Sequence, residues 1–255
     1  MSDFNKNFYE PETFLLAEHF YSPQCEGNTT GVNAYFIRVA GCNLSCGTSR
    51  NTVRELRKTD PDKIYDKWSF DGPEDGKKNP GDLEQSGQAT WTCDTILEWI
   101  HGTRTSYQEI IDAWDSYGIT DWVRQHITHL IFTGGEPGVK RQQRAWMDFV
   151  RYLQEHYDIT PFTEIETNGT QYLDDDFLTH LGQINCSPKL ANSGMAEERR
   201  IIPSAIHRIM EHPNYWFKFV VSGEEDVKEY IRDYVEPFNI PTKRVCMMPA
   251  EINDE

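Results

Sequence analysis

The chain has 255 residues, of which 41 are acidic and 25 basic, and its formal net charge is −16 at pH 7. This length suits one domain with a large core, and we predict a single domain over residues 1–255, interrupted by one insertion. The negative charge repels phosphate backbones, which argues against nucleic acid as a partner.

The N-terminal residues mix acids, amides and aromatics, with no basic start followed by an apolar core. No segment has the length and apolar character of a membrane span. We therefore expect no signal peptide, no membrane association and a cytoplasmic location. In that reducing compartment the six cysteines are expected to be core thiols or metal ligands rather than disulfides.

Residues 14–21 form a mixed apolar segment, and residues 33–40 form the first clear strand. From residue 93 onwards, apolar runs alternate with amphipathic stretches. Strands are predicted over 129–132, 162–166, 183–186, 215–221 and 244–248, and helices over 94–100, 106–116, 143–156, 174–181, 204–212 and 224–235. This alternation is typical of parallel βαβ units, so we predict an α/β fold with a mainly parallel sheet.

A polar insertion at about 47–90 interrupts this pattern and is rich in Lys, Asp, Gly, Pro and Gln. Residues 71–81 have the composition of a loop, and a short helix is possible near 52–58. Loops of this length usually have a function or lack order. Binding a reductant, binding another partner and shielding a neighbouring site are the roles we consider.

Two cysteines, Cys42 and Cys46, follow the first strand in the segment GCNLSC, and Cys93 follows the insertion. Three thiolates are too few for a structural zinc site, which usually has four ligands. On a 4Fe-4S cluster they would leave one iron open, and we interpret them as such a set. Cys25 and Cys186 are alternatives for the third ligand, and a non-enzymatic zinc or binding protein is a competing hypothesis.

Further polar motifs come directly after successive strands, at the edge where α/β proteins carry their active sites. They are GGEP at 134–137, ETNG at 166–169 and SPK at 187–189. Arg38 lies within an apolar strand, and a buried guanidinium needs an anionic partner. The alternative is an arginine at the strand end that reaches solvent or a nearby carboxylate, and the sequence does not favour one over the other.

In this order the motifs resemble those of radical S-adenosylmethionine enzymes, in particular the 7-carboxy-7-deazaguanine synthase family, over about residues 14–249. The segments QCEG at 24–27, CDT at 93–95 and SPK at 187–189, together with Arg38, indicate the narrower family. The resemblance implies a partial (β/α) barrel. It also implies conversion of 6-carboxy-5,6,7,8-tetrahydropterin into 7-carboxy-7-deazaguanine and ammonia by a radical ring contraction. A different radical reaction on this scaffold, such as peptide or glycyl-radical activation, is the alternative.

The resemblance also implies the cofactors and the residues that bind them, with no catalytic side chain beyond the cofactor-derived radical. The 4Fe-4S cluster would be bound by Cys42, Cys46 and Cys93, and Mg²⁺ by Thr95, whose other possible role is helix capping. S-adenosylmethionine would contact Thr92, Asp94, Gly135, Glu136, Asn168, Ser187, Pro188 and Lys189. The pterin would contact Pro23, Gln24, Cys25, Glu26, Arg38 and Thr133. A flavodoxin-like reductant and a homodimer are the implied protein partners.

The chain departs from the family pattern at residues of the predicted site. The common cysteine spacing is C-x3-C-x2-C, but here Ser49 occupies the third position and the insertion separates Cys46 from Cys93. The cluster interpretation therefore requires both ends of the insertion to meet, and closing a long loop costs little more entropy than closing a short one. In addition, Cys25 replaces a glycine that is usual in the family, where a side chain could crowd the substrate.

Overall fold

The computed structural model describes residues 10–69, 77–78 and 89–250. Within them, eight strands form one sheet in the order β3-β1-β2-β4-β5-β6-β7-β8. The strands are β1 Thr13–Pro23, β2 Asn33–Val39, β3 Thr103–Ser106, β4 Thr128–Gly134, β5 Thr163–Thr167, β6 Gln183–Cys186, β7 Tyr215–Val221 and β8 Val245–Pro249. β1 pairs antiparallel with β2 and β3, and every pairing from β2 to β8 is parallel. The predicted α/β fold with a mainly parallel sheet is confirmed.

Helices follow most of the parallel strands. They are α1 Arg50–Lys58, α2 Ile64–Lys67, α3 Ile96–Trp99, α4 Tyr107–Tyr117, α5 Thr120–Arg124, α6 Lys140–Tyr157, α7 Asp175–Thr179, α8 Glu197–Arg200, α9 Pro203–Met210, α10 Glu224–Tyr230 and α11 Glu236–Phe238. A π-helical turn, Ile231–Val235, joins α10 to α11. None of the helices in the described part of the chain combines the length and apolar character needed to cross a lipid bilayer.

The two faces of the parallel strands have different chemistry. One face carries apolar side chains such as Ile37, Phe132 and Ile165, which pack with the apolar faces of α4 and α6 in the main core. α4 begins with a capping box at Ser106 and Glu109, which satisfies amides that the helix itself leaves free. Because side chains alternate along a strand, the opposite face receives the polar residues between these apolar ones.

The insertion contains more structure than its composition indicates. The possible helix near 52–58 is present as α1, and α2 was not predicted. Leu56, Ile64 and Trp68 are buried together with residues of α3, including Ile96 and Trp99. Most of the loop predicted at 71–81 lies outside the described residues.

The predicted strands and helices after residue 93 are present with small shifts of their ends, but β3, α5, α8 and the three-residue α11 were not predicted. β3 is a four-residue segment, TRTS, with no apolar side chain in its sequence. It is a strand because it pairs with β1, from Thr13 opposite Ser106 to Leu16 opposite Thr103. α5 and α8 are short, with five and four residues, and a short helix shows little hydrophobic periodicity.

Candidate active site

The three cysteines at the centre of the sequence interpretation lie together. β2 ends at Val39, and the loop that follows carries Cys42 and Cys46. The amide of Cys93 donates a hydrogen bond of 3.1 Å to the carbonyl of Cys46. All three cysteines belong to one small cluster with Leu44 and Met195. Cys186 instead packs in the main core and Cys25 is exposed, so neither shares this cluster.

Close backbone packing joins the two ends of the insertion. Gly47 has a φ of +75°, and a β-carbon on it would lie 2.0 Å from the carbonyl oxygen of Trp91. Its amide donates to the carbonyl of Ser193 at 2.8 Å, and the amide of Thr90 donates to the carbonyl of Asn192 at 2.9 Å. One loop therefore receives both ends, and only glycine fits at residue 47 without a shift of the backbone.

The cysteine cluster has the chemistry of a metal-binding site. Burial raises the pKa of Cys42 well above its ordinary value, and the nearby carboxyl of Glu136 raises it further. Burial also raises the pKa of Cys46 to about 12, although the ammonium of Lys189 opposes this. Both thiols are therefore protonated at neutral pH in the metal-free protein, and they must release protons when a metal binds. The Cys93 sulfur accepts a hydrogen bond of 3.4 Å from the indole of Trp99.

The thiols fit an iron–sulfur cluster better than a single ion. All six cysteines are free. Within the described ranges, no three His, Cys, Asp or Glu side chains surround one point where a single metal ion would bind. Structural zinc needs four such ligands around one point, whereas each cysteine of a 4Fe-4S cluster binds a different iron. One buried and two half-buried thiols that lie near each other are compatible with the larger cofactor.

The GGEP segment at the end of β4 is packed against the cysteine loop. A β-carbon on Gly135 would lie 2.1 Å from the carbonyl oxygen of Gly41 and 2.9 Å from the amide nitrogen of Cys42. The Gly135 amide donates to the carbonyl of Val39, and the Glu136 amide donates to that of Gly41, both at 3.0 Å. A side chain at residue 135 would therefore displace the loop that carries Cys42.

Glu136 is fully buried and points towards the loop after β5. Its carboxyl accepts hydrogen bonds from the Thr167 hydroxyl at 2.6 Å and from the amides of Asn168 and Gly138 at 2.7 Å. Burial raises the pKa of Glu136, although these hydrogen bonds oppose it. The carboxyl is thus used to hold Asn168, whose side-chain nitrogen lies 3.0 Å from the Asn43 side-chain oxygen and 3.9 Å from the Cys42 sulfur.

The remaining predicted cofactor residues differ in their exposure. The Ser187 amide donates to the carbonyl of Thr167 at 2.7 Å, and Pro188 is buried. The Lys189 ammonium lies 5.7 Å from the centre of the Trp91 ring, as in a cation–π contact. Thr92 is half-buried, whereas Asp94 is exposed.

Thr95 precedes the first residue of α3, but its hydroxyl makes no capping hydrogen bond. The Thr95 side-chain oxygen lies instead 3.6 Å from the Cys93 sulfur. The capping role considered for this side chain is therefore not observed.

A second group of polar residues lies on the polar face of the sheet, around Glu166 of β5. Its carboxylate accepts hydrogen bonds from the Gln24 side chain at 3.1 Å and from the Thr133 hydroxyl at 2.8 Å. The Lys218 ammonium lies 3.6 Å from the same carboxylate and also forms an ion pair with Glu26. Three predicted substrate residues, Gln24, Glu26 and Thr133, are thereby connected to two charged residues that were not predicted.

The charges in this group stabilise each other. Burial alone would raise the pKa of Glu166, but Lys218, Thr133 and Gln24 outweigh it, and the pKa is lowered. Burial likewise acts to lower the pKa of Lys218, but Glu166 and Glu26 outweigh it and the pKa is raised. Glu166 is therefore a carboxylate and Lys218 an ammonium at neutral pH.

Arg38 is the charged residue of β2, and it lies opposite Glu18 of β1 and Thr133 of β4. Its guanidinium donates to the Glu18 carboxylate at 2.8 Å. A protein carboxylate is thus one partner of the strand arginine. The positive charge of the guanidinium also contributes to the lowered pKa of Glu166.

The other two predicted substrate residues lie at the end of β1. Pro23 is the last residue of the strand, opposite Asn33, and Cys25 is exposed. The Cys25 sulfur lies 3.5 Å from the Pro23 carbonyl oxygen, so its side chain folds back on the loop.

A third polar group, also missed in the sequence, lies further along the same face. Glu164 is fully buried and accepts hydrogen bonds from Asn185 at 2.7 Å, Gln183 at 3.1 Å and Thr29 at 3.0 Å, while His129 lies 2.6 Å away. The signal was present in the segments TEIET of β5 and YWFKFVV of β7, where charged residues alternate with apolar ones. The reasoning applied to Arg38, that a charge in a buried strand needs a partner, would have identified these residues.

Known proteins with related sequences extend along nearly the whole chain, although no protein-family model matches it. The chain is 26% identical over 242 residues to a 7-carboxy-7-deazaguanine synthase of Pyrobaculum aerophilum, covering 94% of this chain and 81% of that relative. It is 25% identical over 257 residues to one of Rhodopirellula baltica, covering 95% and 76%. A third, from Halobacterium salinarum, is 26% identical over 84% of this chain and 66% of its own length.

Structural similarity agrees with these sequences. The crystal structure of QueE from Escherichia coli resembles this fold with a TM-score of 0.51 and 19% identity, over 93% of this chain and 84% of that one. At this identity the likeness concerns the fold alone, whereas the sequence relatives carry one name. Together they support the resemblance of this chain to the 7-carboxy-7-deazaguanine synthase family.

Proposed function

We propose that this protein is a lyase that converts 6-carboxy-5,6,7,8-tetrahydropterin into 7-carboxy-7-deazaguanine and ammonia, in deazapurine biosynthesis of the queuosine type. The observation that carries the proposal is the shared cluster of Cys42, Cys46 and Cys93 after the first parallel strand. The sequence relatives support the same reaction, and none of those named above suggests peptide or glycyl-radical activation. The family implies a 4Fe-4S cluster and S-adenosylmethionine as cofactors.

The cysteine loop and the strand-end motifs form the proposed cofactor site. Cys42, Cys46 and Cys93 would bind the iron–sulfur cluster, with Thr95 as a ligand of Mg²⁺, a cation that prefers oxygen. S-adenosylmethionine would contact Thr92, Asp94, Gly135, Asn168, Ser187, Pro188 and Lys189, while Glu136 orients Asn168. When bound, the cluster and S-adenosylmethionine supply a carbon-centred radical that removes a hydrogen atom from the substrate.

The protein's own contribution is to bind and orient the pterin on the polar face of the sheet. Gln24, Glu26, Arg38 and Thr133 would contact it, with Pro23 and Cys25 beside the ring. The Arg38 guanidinium is a planar donor that matches the substrate carboxylate. On substrate binding, Arg38 would either release the Glu18 carboxylate or donate to both carboxylates at once. Lys218 and Glu166 contact Gln24, Glu26 and Thr133, so their ion pair would keep these three side chains of the substrate site in position.

The wider setting completes the proposal. We place the protein in the cytoplasm as a single domain over residues 1–255, acting as a homodimer and receiving electrons from a flavodoxin-like protein. Neither nucleic acid nor a membrane is part of this proposal, because the substrate is a small pterin and the chain carries a charge of −16.

Anaerobic purification and reconstitution with iron and sulfide test the proposal directly. The expected protein is brown, with about four irons per chain and no zinc. With S-adenosylmethionine, Mg²⁺, dithionite and the carboxylated tetrahydropterin, it should release ammonia and 7-carboxy-7-deazaguanine in equal amounts, as measured by mass spectrometry. A colourless protein that contains zinc would contradict the cluster, and an iron-loaded protein that releases no ammonia would contradict the reaction.

A further inference from the structure

Trp99, the last residue of α3, contacts both parts of the cysteine cluster. Its indole nitrogen donates to the Cys93 sulfur at 3.4 Å. Its carbonyl accepts the amide of Gly41 at 2.8 Å, and Gly41 directly precedes Cys42. One residue therefore meets the third thiol through its side chain and the loop of the first two through its backbone. Residue 99 lies outside every motif on which the resemblance to the family rests.

The indole contact is particular to this position. A buried indole N–H usually has a hydrogen-bond partner, because its desolvation without one costs free energy. Trp99 is 2% exposed, and the partner of its N–H is a cysteine sulfur. Two other fully buried tryptophans, Trp114 and Trp146, have no partner for their N–H among the described residues. The contact with sulfur is thus a property of residue 99 and not of buried indoles in this protein generally.

Apolar side chains hold the Trp99 ring in place. It lies in one buried cluster with Leu56 of α1, Ile64 of α2, and Ile96 and Ile100 in and directly after α3. Because α1 and α2 belong to the insertion, the insertion supplies part of the wall around the indole. Apolar packing of this kind keeps the donor directed at the sulfur. It also strengthens the attraction between them, because the local dielectric constant is low.

The other donors near the cysteine sulfurs are of a different kind. The Leu44 amide donates to the Cys42 sulfur at 3.5 Å, and any residue except proline would supply that amide. The Thr95 hydroxyl lies 3.6 Å from the Cys93 sulfur. In the proposed site, however, its oxygen would bind Mg²⁺. Trp99 is therefore the side-chain donor that would remain on Cys93 in the loaded protein.

Hydrogen bonds to the sulfur ligands are one of the factors that set the reduction potential of an iron–sulfur cluster. Reduction adds one electron, which comes from an external reductant that is thereby oxidised, and it increases the negative charge on the cluster and its sulfurs. An N–H group directed at a ligand sulfur is attracted more strongly in the reduced state than in the oxidised state. A hydrogen bond to Cys93 would therefore make the cluster easier to reduce.

We infer that Trp99 is a positioning residue that acts through Cys93, and that its indole N–H raises the reduction potential of the bound 4Fe-4S cluster. The inference rests on the proposed function for the presence of the cluster, and it adds a redox role for a residue outside the ligand set. It also gives the packed part of the insertion a function, because Leu56 and Ile64 hold the indole in place.

Trp99→Phe tests the inference, because it keeps an aromatic ring and the backbone carbonyl but removes the N–H. After identical anaerobic reconstitution, its iron content should equal that of the wild type. In a redox titration followed by the EPR signal of the reduced cluster, the ratio of reduced to oxidised cluster at a fixed potential should be about three- to tenfold lower. A tenfold fall corresponds to a potential about 59 mV lower for one electron. An unchanged ratio in the iron-loaded variant would overturn the inference.

Trp114→Phe is the matched control for this titration. It makes the same change at a fully buried tryptophan of the main core, whose N–H has no partner among the described residues. The ratio of reduced to oxidised cluster in the control should stay within about 1.5-fold of the wild type. An equal fall in both variants would show that the titration measures loosened packing instead of the hydrogen bond, and it would overturn the inference.

A measurement on the wild type decides the case in which Trp99→Phe takes up no iron. With the indole nitrogens labelled with ¹⁵N, pulsed EPR of the reduced cluster should show a weak ¹⁵N coupling transmitted through the hydrogen bond. The coupling should persist in Trp91→Phe, because Trp91 packs beside the cysteines without being the proposed donor. Absence of the coupling in the wild type, or its loss in Trp91→Phe, would overturn the inference.

The proposed reaction is tested separately by product formation. A wild type that binds no iron would overturn the proposed function and this inference together. If the potential of Trp99→Phe is lowered but the wild type releases no ammonia from the carboxylated tetrahydropterin, the reaction fails while the role of Trp99 stands. If the wild type forms product and the potential of Trp99→Phe is unchanged, the role of Trp99 fails while the reaction stands.

Discussion

The carbonyl of Cys46 accepts the amide of Cys93 at 3.1 Å, so a residue before the insertion and one after it are hydrogen-bonded neighbours. This contact brings the third thiol to the first two without the compact spacing that is common in the family. The closure also depends on Gly47, which allows the backbone of Trp91 to approach. The cysteine cluster is thus formed by tertiary packing, and the enlarged loop does not disrupt it.

Cys93→Ala should abolish cluster binding, because two thiolates cannot hold a cluster that needs three. After identical anaerobic reconstitution, iron should fall from about four per chain to near zero. Cys246→Ala is the matched control, since Cys246 lies in β8 and shares no contact with the cysteine cluster. The iron content of the control should equal that of the wild type. Retention of a full iron complement in Cys93→Ala would show that another residue is the third ligand.

Gly47→Ala should destabilise the protein more than an equivalent change at a glycine with free space. A methyl group at residue 47 would overlap the backbone of Trp91 and Thr92. At Gly118, by contrast, no other atom lies within 4 Å of the position that a methyl group would occupy. Both glycines have positive φ, +75° and +69°, so both variants carry the strain of a left-handed alanine, about 1 kcal/mol. Overlap adds up to about 3 kcal/mol at residue 47 alone.

Chemical denaturation of both glycine variants measures this difference, with the Gly118→Ala variant as the reference for backbone strain. Iron loading after reconstitution should also fall in Gly47→Ala, because the displaced backbone carries Cys46 on one side and Thr92 on the other. Equal free energies of unfolding for the two variants would mean that the ends of the insertion are not closely packed.

The sequence predicted the fold well because its strongest signals are local. Each parallel strand is an apolar run followed by a polar motif, and that pattern indicates both the strand and the side of the sheet where the site lies. β3 escaped prediction because TRTS is a strand only through its pairing with β1. The helix of the insertion was foreseen, but its burial against Trp99 of α3 depends on contacts between distant segments.

The site was predicted less completely than the fold. Motifs indicated the cysteines and the strand ends, including the segment that begins at Glu166, but neither Glu166 nor Lys218 was predicted to be a site residue. Their ion pair joins β5 to β7 across β6, a relationship that requires the order of strands in the sheet. For Arg38 the sequence indicated the need for an anion, but the register with β1 was needed to identify Glu18.

Stability should decline at acidic pH in a way that depends on Glu166. Its pKa is lowered in the folded protein, so its contribution to stability is present above the ordinary glutamate pKa and is lost as pH falls through the folded value. Glu166→Gln cannot titrate and should show a shallower decline of the free energy of unfolding between about pH 6 and pH 3. Urea denaturation at several pH values measures both slopes.

Glu225→Gln is the matched control for this pH dependence. The pKa of Glu225 is also lowered, by Lys228, but both side chains are largely exposed, so water screens their interaction. The acid decline of Glu225→Gln should follow that of the wild type closely. If the free energy of unfolding of Glu166→Gln declines with falling pH as steeply as that of the wild type, the folded protein does not stabilise the charged form of Glu166.

Arg38→Ala should weaken pterin binding and leave cofactor binding intact. Loss of a charge-assisted hydrogen bond costs about 1.5–3 kcal/mol, which predicts a rise of roughly 10- to 100-fold in the KM for the carboxylated tetrahydropterin. The dissociation constant for S-adenosylmethionine, measured separately on the reconstituted protein, should change by less than about twofold.

Glu18→Gln is the informative partner variant, because it keeps the guanidinium and removes the charge of its protein partner. Its KM for the pterin should be equal to or lower than that of the wild type, since Glu18 and the substrate carboxylate compete for Arg38. If Arg38→Ala lost pterin affinity and cofactor affinity to a similar extent, Arg38 would have a structural role through its ion pair with Glu18 and would not bind the substrate carboxylate.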